Sequence, residues 1–198
     1  MNKRGLVFIV IGAVLIAAAL GLVIYNMASD TSAGKSSYDV LMELTEDMKN
    51  NRTTPTYSFD PDADMPTKQV DGWNYIGVLE IPSLNLVLPV IDQWSYDALL
   101  VAPARYTGSA YLDNMVLAAH NYTSHFGRLR ELSLEDEIRF VDVVGNVFYY
   151  KVQELQILPP TAVEEMTLNG DWDLTLFTCT WGGQSRVTVR CTRVLQHN

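Results

Sequence analysis

TLFTCTWGGQSRVTVRCTR (Thr175 to Arg193) decides how this chain folds and where its chemistry lies. An apolar run ends at Cys179, a loop containing Gly182 and Gly183 follows, and the chain returns as an alternating run from Arg186. Strand alternation puts Arg186, Thr188 and Arg190 on one face and Val187, Val189 and Cys191 on the other. The valine face reads as core, with Cys191 as a small buried hydrophobe. Cys179 sits where the chain leaves the sheet, so its side chain can reach a groove. A thiol attacks as thiolate and needs cationic company, which the arginine face supplies. A Cys179–Cys191 disulfide needs both side chains on one face at matching depth and is not expected. Two cysteines are also too few for a disulfide scaffold, and no CxxC spacing occurs.

A thiol enzyme usually has a histidine partner. The sequence holds His120, His125 and His197. His197 lies beside the last residue, and His125 falls in the loop NYTSH (Asn121 to His125). His120 ends the apolar run MVLAAH (Met115 to His120), a strand-end placement like that of Cys179. A strand end fixes a side chain better than a loop tip, so His120 is the candidate. On the residues alone, an inert buried Cys179 and a surface or capping histidine stay open.

Further strands are expected at Tyr75–Ile81, Leu86–Ile91, Met115–Ala119, Glu137–Val143, Val147–Ile157, Asp173–Thr178 and Arg186–Arg193. Gly145-Asn146 marks a hairpin between two of them. Short helices are expected at Tyr96–Val101, Phe126–Leu132 and Ala162–Met166. Many short strands separated by turn signals predict a mainly β fold, a closed barrel or a sandwich.

The N-terminal part has a different texture. Gly5 to Tyr25 carries no charge, and Lys3 and Arg4 precede it. About 20 apolar residues span a bilayer core, and the flanking basic pair sets the N-terminus in the cytoplasm. Residues 1–27 are therefore read as a single-pass anchor in the cell membrane, with the rest outside the cell. A cleaved signal peptide is the competing reading, with a shorter apolar core and a small-x-small site that Met27-Ala28-Ser29 matches poorly. Residues 28–71 read as an extracellular linker. Ala28–Ser37 is small and polar, and Tyr38–Lys49 has apolar residues at 38, 41, 44 and 48, a possible short helix. Residues 72–198 form the main domain.

Every Asp and Glu lies after residue 29, and the net charge is −9. A body this acidic excludes a nucleic-acid partner, which requires a basic footprint. No usual zinc spacing and no phosphate-binding glycine loop is present, so neither metal nor cofactor is expected. Glu164, Glu165 and Asp113 read as solvated carboxylates.

TLFTC followed by a short loop and RVTVR resembles the signature of sortases, the extracellular cysteine transpeptidases of Gram-positive bacteria. YIGVLEIPSLNLVLPV (Tyr75 to Val90), YTGSAYLDNMVLAAHN and FGRLREL agree with the family's opening strands, the approach to its histidine and the short helix that follows. The likeness runs from about Trp73 to Val194, in the family's order His, Cys, Arg. It implies an eight-stranded β-barrel in which His120, Cys179 and Arg186 are catalytic, with Arg190 competing for the last role. It also implies substrate contacts at Thr178 and Arg190, and at Ala162 and Val163 in the loop Pro159–Gly170. Partners would be secreted proteins with C-terminal sorting signals of the LPxTG kind, and a cell-wall precursor or a pilin amine as acceptor. Ala119 stands where the family usually has Gly. Asp60-Pro61-Asp62 begins like the lid of pilin-polymerising members but lacks its aromatic residue. A membrane-anchored thiol hydrolase and a non-catalytic extracellular binding domain are the alternative readings.

Overall fold

The computed structural model describes residues 3–50, 64–167 and 172–194. Residues 51–63, with Asp60-Pro61-Asp62, lie outside the described residues, as do 168–171 of the loop before the Cys179 strand and His197. The chain divides into two units, Met1–Ser32 and Ala33–Asn198.

One helix, α1, runs over Lys3–Asn50. Over residues 5–25 it is apolar all round, with Phe8, Ile16 and Leu22 exposed, and it is long and apolar enough to cross a membrane. The flexible stretch expected over Ala28–Ser37 is helix instead. Small polar residues carry little helical preference of their own, so packing decides here. Within the second unit Ala33, Ser37, Val40 and Leu44 form one buried stripe at helical spacing. The face expected from positions 38, 41, 44 and 48 is rotated, for Tyr38 is exposed.

The second unit is a β structure. Its strands are β1 Lys68–Val70, β2 Trp73–Ile81, β3 Leu86–Ile91, β4 Ala104–Thr107, β5 Met115–Ala118, β6 Glu137–Asp142, β7 Val147–Leu158, β8 Leu174–Cys179 and β9 Arg186–Val194. They follow the order β1-β2-β3-β4-β5-β8-β9-β7-β6, and β6 returns to pair with β2. The ring β2 to β9 is thus an eight-stranded closed barrel. β1 extends the same edge of β2 that β6 occupies further along. All seven expected strands are present, β3 with the expected bounds and the other six with shifted ends. The sequence reading missed β1 and β4, three and four residues long, because neither carries apolar alternation. Closure requires Gly77: a Cβ there would come 2.7 Å from Phe140 Cζ and collide with the Val141 carbonyl.

Alternation gives each strand an inward and an outward face. Inward residues such as Ile76, Leu117, Phe140, Leu176 and Val189 fill the barrel. The outward residues Tyr75, Ile91, Ala104 and Ala118 form a second core, under Val40 and Leu44 of α1 and Ala98 and Leu99 of α2 (Tyr96–Leu99). That covering explains why these strands are apolar on both faces. The helix expected at Phe126–Leu132 is a series of turns ending in a 3₁₀ turn at Leu129–Glu131. The one expected at Ala162–Met166 is α3, Val163–Thr167.

Candidate active site

Three neighbouring strands bring the candidate residues to one outward face. β5 and β8 run parallel, with Ala118 opposite Phe177. The Ala119 N–H still donates to Phe177 O at 3.3 Å beyond the end of β5, so the same register sets His120 beside Cys179. β8 and β9 are antiparallel, with Cys179 opposite Arg186, and directly opposed residues project to the same side. The chain leaves each strand at these points, which frees the side chains from sheet packing. His120, Cys179 and Arg186 all line one cleft of about 250 Å³.

Cys179 and His120 are both half-buried. Burial pushes the His120 imidazole below its ordinary value, since a partly dry site disfavours the cation. Cys191 behaves oppositely to a nucleophile: it is fully buried in the barrel, and burial pushes its thiol far up. Arg186 is tethered to its own turn, Nη1 donating to Gly183 O and Ser185 O at 3.0 Å each. Gly182 and Gly183 hold φ values of 86° and 73°, so the turn depends on glycine.

The cleft has two unlike walls. One is aromatic: Trp94 stacks on Tyr106 at 5.1 Å, and Tyr106 meets Phe177 edge-on at 5.5 Å. The other is α3 and its approach, with Pro160, Val163, Met166 and Thr167. A thiol, an imidazole and a guanidinium thus share one mainly apolar trough.

The residues expected to contact substrate separate. Thr178 and Val163 line the cleft. Thr178 is buried, and its Oγ1 donates to Ala119 O at 2.9 Å, locking the end of β5 to β8. Ala162 is buried at the start of α3, where its carbonyl accepts from Met166 N–H. Arg190 lies on the face expected for it, but it is only 2% exposed and outside the cleft lining. Its Nη1 donates to Thr175 Oγ1 at 3.0 Å and Met166 O at 3.3 Å, and its Nη2 donates to Glu165 O. Arg190 therefore fastens α3 to the barrel, and the expected groove over Thr188 and Arg190 is roofed. His125, expected in a loop tip, is fully buried. The aromatic wall escaped the sequence reading. Its signal was present in Trp94, Tyr96 and Tyr106, aromatic residues clustered in the stretch after β3.

Two adjacent parallel strands of the barrel thus end in an imidazole and a thiol, with an arginine across from the thiol, the side chains that a cysteine enzyme uses. A sortase-domain family model matches residues 79–194, and the chain belongs to the sortase family, whose members are known as cysteine transpeptidases. Sortase D of Bacillus subtilis (strain 168) is 32% identical over 107 residues, covering 52% of this chain and 53% of that protein. The chain thus spans about half the length of that curated relative. Among solved structures, a Clostridium perfringens sortase D5 transpeptidase superposes with TM-score 0.59 at 17% identity, over 83% of this chain and 99% of that one. Streptococcus pneumoniae sortase C, described with reference to pilin substrate specificity, gives 0.56 at 22%, over 79% and 88%. C. perfringens sortase C with the C-terminal cell wall sorting motif gives 0.56 at 22%, over 80% and 91%. These likenesses establish the fold.

Proposed function

We propose that this chain is a membrane-anchored transpeptidase in which Cys179 cleaves an LPxTG-like sorting signal and passes the acyl group to an amine. The observation that carries this is the convergence of His120, Cys179 and Arg186 on one cleft. The Cys179 thiolate attacks the carbonyl carbon of the signal's threonine. The C–N bond breaks, His120 as imidazolium gives its proton to the leaving amine, and a thioacyl-enzyme remains. The neutral imidazole then takes a proton from the incoming amine, which attacks the thioester, and the C–S bond breaks to restore the thiolate. Arg186 holds the tetrahedral oxyanion or the substrate backbone near it.

Burial favours the neutral form of the half-buried His120, so the proton-donating imidazolium is disfavoured in the free protein. The imidazolium fraction falls as pH rises through the lowered His120 midpoint, so proton donation to the leaving amine is expected to weaken on that limb. α1 supports the anchor, with the barrel outside the cell. The sorting motif on the sortase C from C. perfringens and the pilin of the pneumococcal enzyme suggest the acyl donor and one acceptor class for this chain.

A fluorogenic sorting-signal peptide tests the reading. Cys179→Ala is expected to abolish cleavage, and an added amine is expected to appear covalently in the product. Full activity in Cys179→Ala would sink the nucleophile. Purely hydrolytic product at saturating amine would leave a thiol hydrolase.

A further inference from the structure

The loop after His120 carries a buried polar link that the proposed chemistry does not use. His125 is 0% exposed and Ser37 of α1 is 3% exposed, and neither lines the cleft. Ser37 Oγ donates to Val101 O at 2.7 Å. A serine hydroxyl has one proton. The 3.0 Å contact between Ser37 Oγ and His125 Nε2 must then run the other way, with His125 Nε2–H as donor. The serine proton is committed to Val101, and this fixes which ring nitrogen of His125 is protonated.

The link continues to the candidate acid–base group. His125 N–H and Gly127 N–H both donate to Tyr122 O, at 3.0 and 2.9 Å, and Phe126 N–H donates to His120 O at 3.2 Å. The Tyr122 ring stands between the two histidines, 5.0 Å from the His120 ring and 5.6 Å from that of His125. Gly34, one turn before Ser37, lets α1 approach: a Cβ there would lie 2.9 Å from Ser124 Cβ. The loop 120–127 is thus wound on itself and pressed against the helix.

We infer that Ser37 is a positioning residue for His120, acting through His125 and Tyr122, so that α1 is part of the active-site frame. This rests on the reading of His120 as the acid–base group. The reason is geometric: proton transfer needs an imidazole held within a fraction of an ångström, and a displacement of about 1 Å can cost on the order of a hundredfold. Removing the Ser37 hydroxyl leaves Val101 O and His125 Nε2–H buried without each other's bridge, and the loop relaxes to satisfy them.

The test uses the full chain in detergent. Ser37→Ala is expected to lower kcat about tenfold, with KM for the peptide nearly unchanged. The His120 titration, read by NMR, is expected to move up toward the ordinary imidazole value as the site loosens. His125→Leu should lose at least as much kcat, whereas His125→Gln, which keeps an N–H near the Nε2 position, should recover most of that loss. Ser37→Ala added to His125→Leu should cost little further kcat, since both break the Ser37–His125 bond and the Val101 bond that Ser37→Ala also removes does not lead to His120. An unchanged kcat and His120 titration in Ser37→Ala overturns the inference, and so does equal loss in the Gln and Leu variants. If His125→Leu fails to fold, Ser37→Ala and His125→Gln decide it alone. Turnover lost in Cys179→Ala but intact in Ser37→Ala defeats only the positioning role. Turnover retained in Cys179→Ala defeats the proposed function, while the titration still reports the geometry.

Discussion

The two ends of the candidate site are built to different standards. On the histidine side, Thr178 Oγ1 ties the strand end through Ala119 O, Phe126 plugs into the barrel core, and His125 is buried against Ser37. On the arginine side, the turn from Thr180 to Ser185 is a glycine loop whose Trp181 is 84% exposed, and Arg186 is held by carbonyls of that turn. A proton is transferred over tenths of an ångström, so its carrier needs a rigid mount. A guanidinium stabilises charge through a broad fork of donors and tolerates some movement. On the proposed roles, the difference teaches that the proton carrier has the rigid mount and the charge-stabilising group the adaptable one.

The comparison can be broken most directly at His120. His120→Ala is expected to reduce turnover about a thousandfold, the size of a lost acid–base group. A fall of less than tenfold would deny His120 the role and remove the reason for the rigid mount. Next comes Arg186. Arg186→Ala should cost about a hundredfold in kcat/KM, and Arg186→Lys should rescue little, because lysine lacks the planar fork. A larger loss in Arg190→Ala than in Arg186→Ala, at equal folded fraction, would move the oxyanion role to Arg190.

Arg190 sharpens the contrast from a third direction. Arg190→Met should mainly raise KM, because α3 loses its fastening at Glu165 O and Met166 O. It should also destabilise by about 1–3 kcal/mol, as expected when buried carbonyls lose their donor. A kcat effect with unchanged KM would contradict this. A smaller effect is expected at Cys191. Cys191→Ala should leave turnover nearly intact and cost about 1–2 kcal/mol in denaturant unfolding, the ordinary price of a small core truncation.

The subtlest measurement is the His120 titration itself. Its midpoint in the free protein should fall below the ordinary imidazole value of about 6.5. The sign for stability follows from that direction. The unfolded chain binds the proton more readily, so His120 contributes stability above the ordinary value and loses it as pH falls through the lowered one. Replacing His120 by Gln should flatten this acid-side slope, and an unchanged slope would mean the imidazole is not desolvated.

Much of the site was legible because strand parity is a strict rule. β9 has core on its inner face, so Val187, Val189 and Cys191 declared themselves, and Arg186 followed by alternation. Parity could not reveal what lies over the outer face. α3 packs over Arg190, and nothing in RVTVRC encodes that roof. Cys179 and His120 were readable as strand ends, and their adjacency required knowing that β5 and β8 pair in parallel. Ser37 and His125 were opaque for a similar reason. They lie 88 positions apart, and a serine in a small, polar stretch looks like linker until its buried face is seen. β1 and β4 escaped because strands this short have no period to detect.

The β5–β8 pair has a consequence for how activity first arises. His120 and Cys179 come from strands whose paired residues lie 59 apart in sequence, as in Ala118 opposite Phe177. No local hairpin can join them, since parallel neighbours demand a long crossover. Contacts of such separation form late and slowly compared with helices and tight turns. On the proposed roles, the thiol travels through early folding without its proton partner, a plain cysteine among other side chains. Reactivity, on those same roles, switches on only when the barrel closes, so a partly folded chain carries no working site.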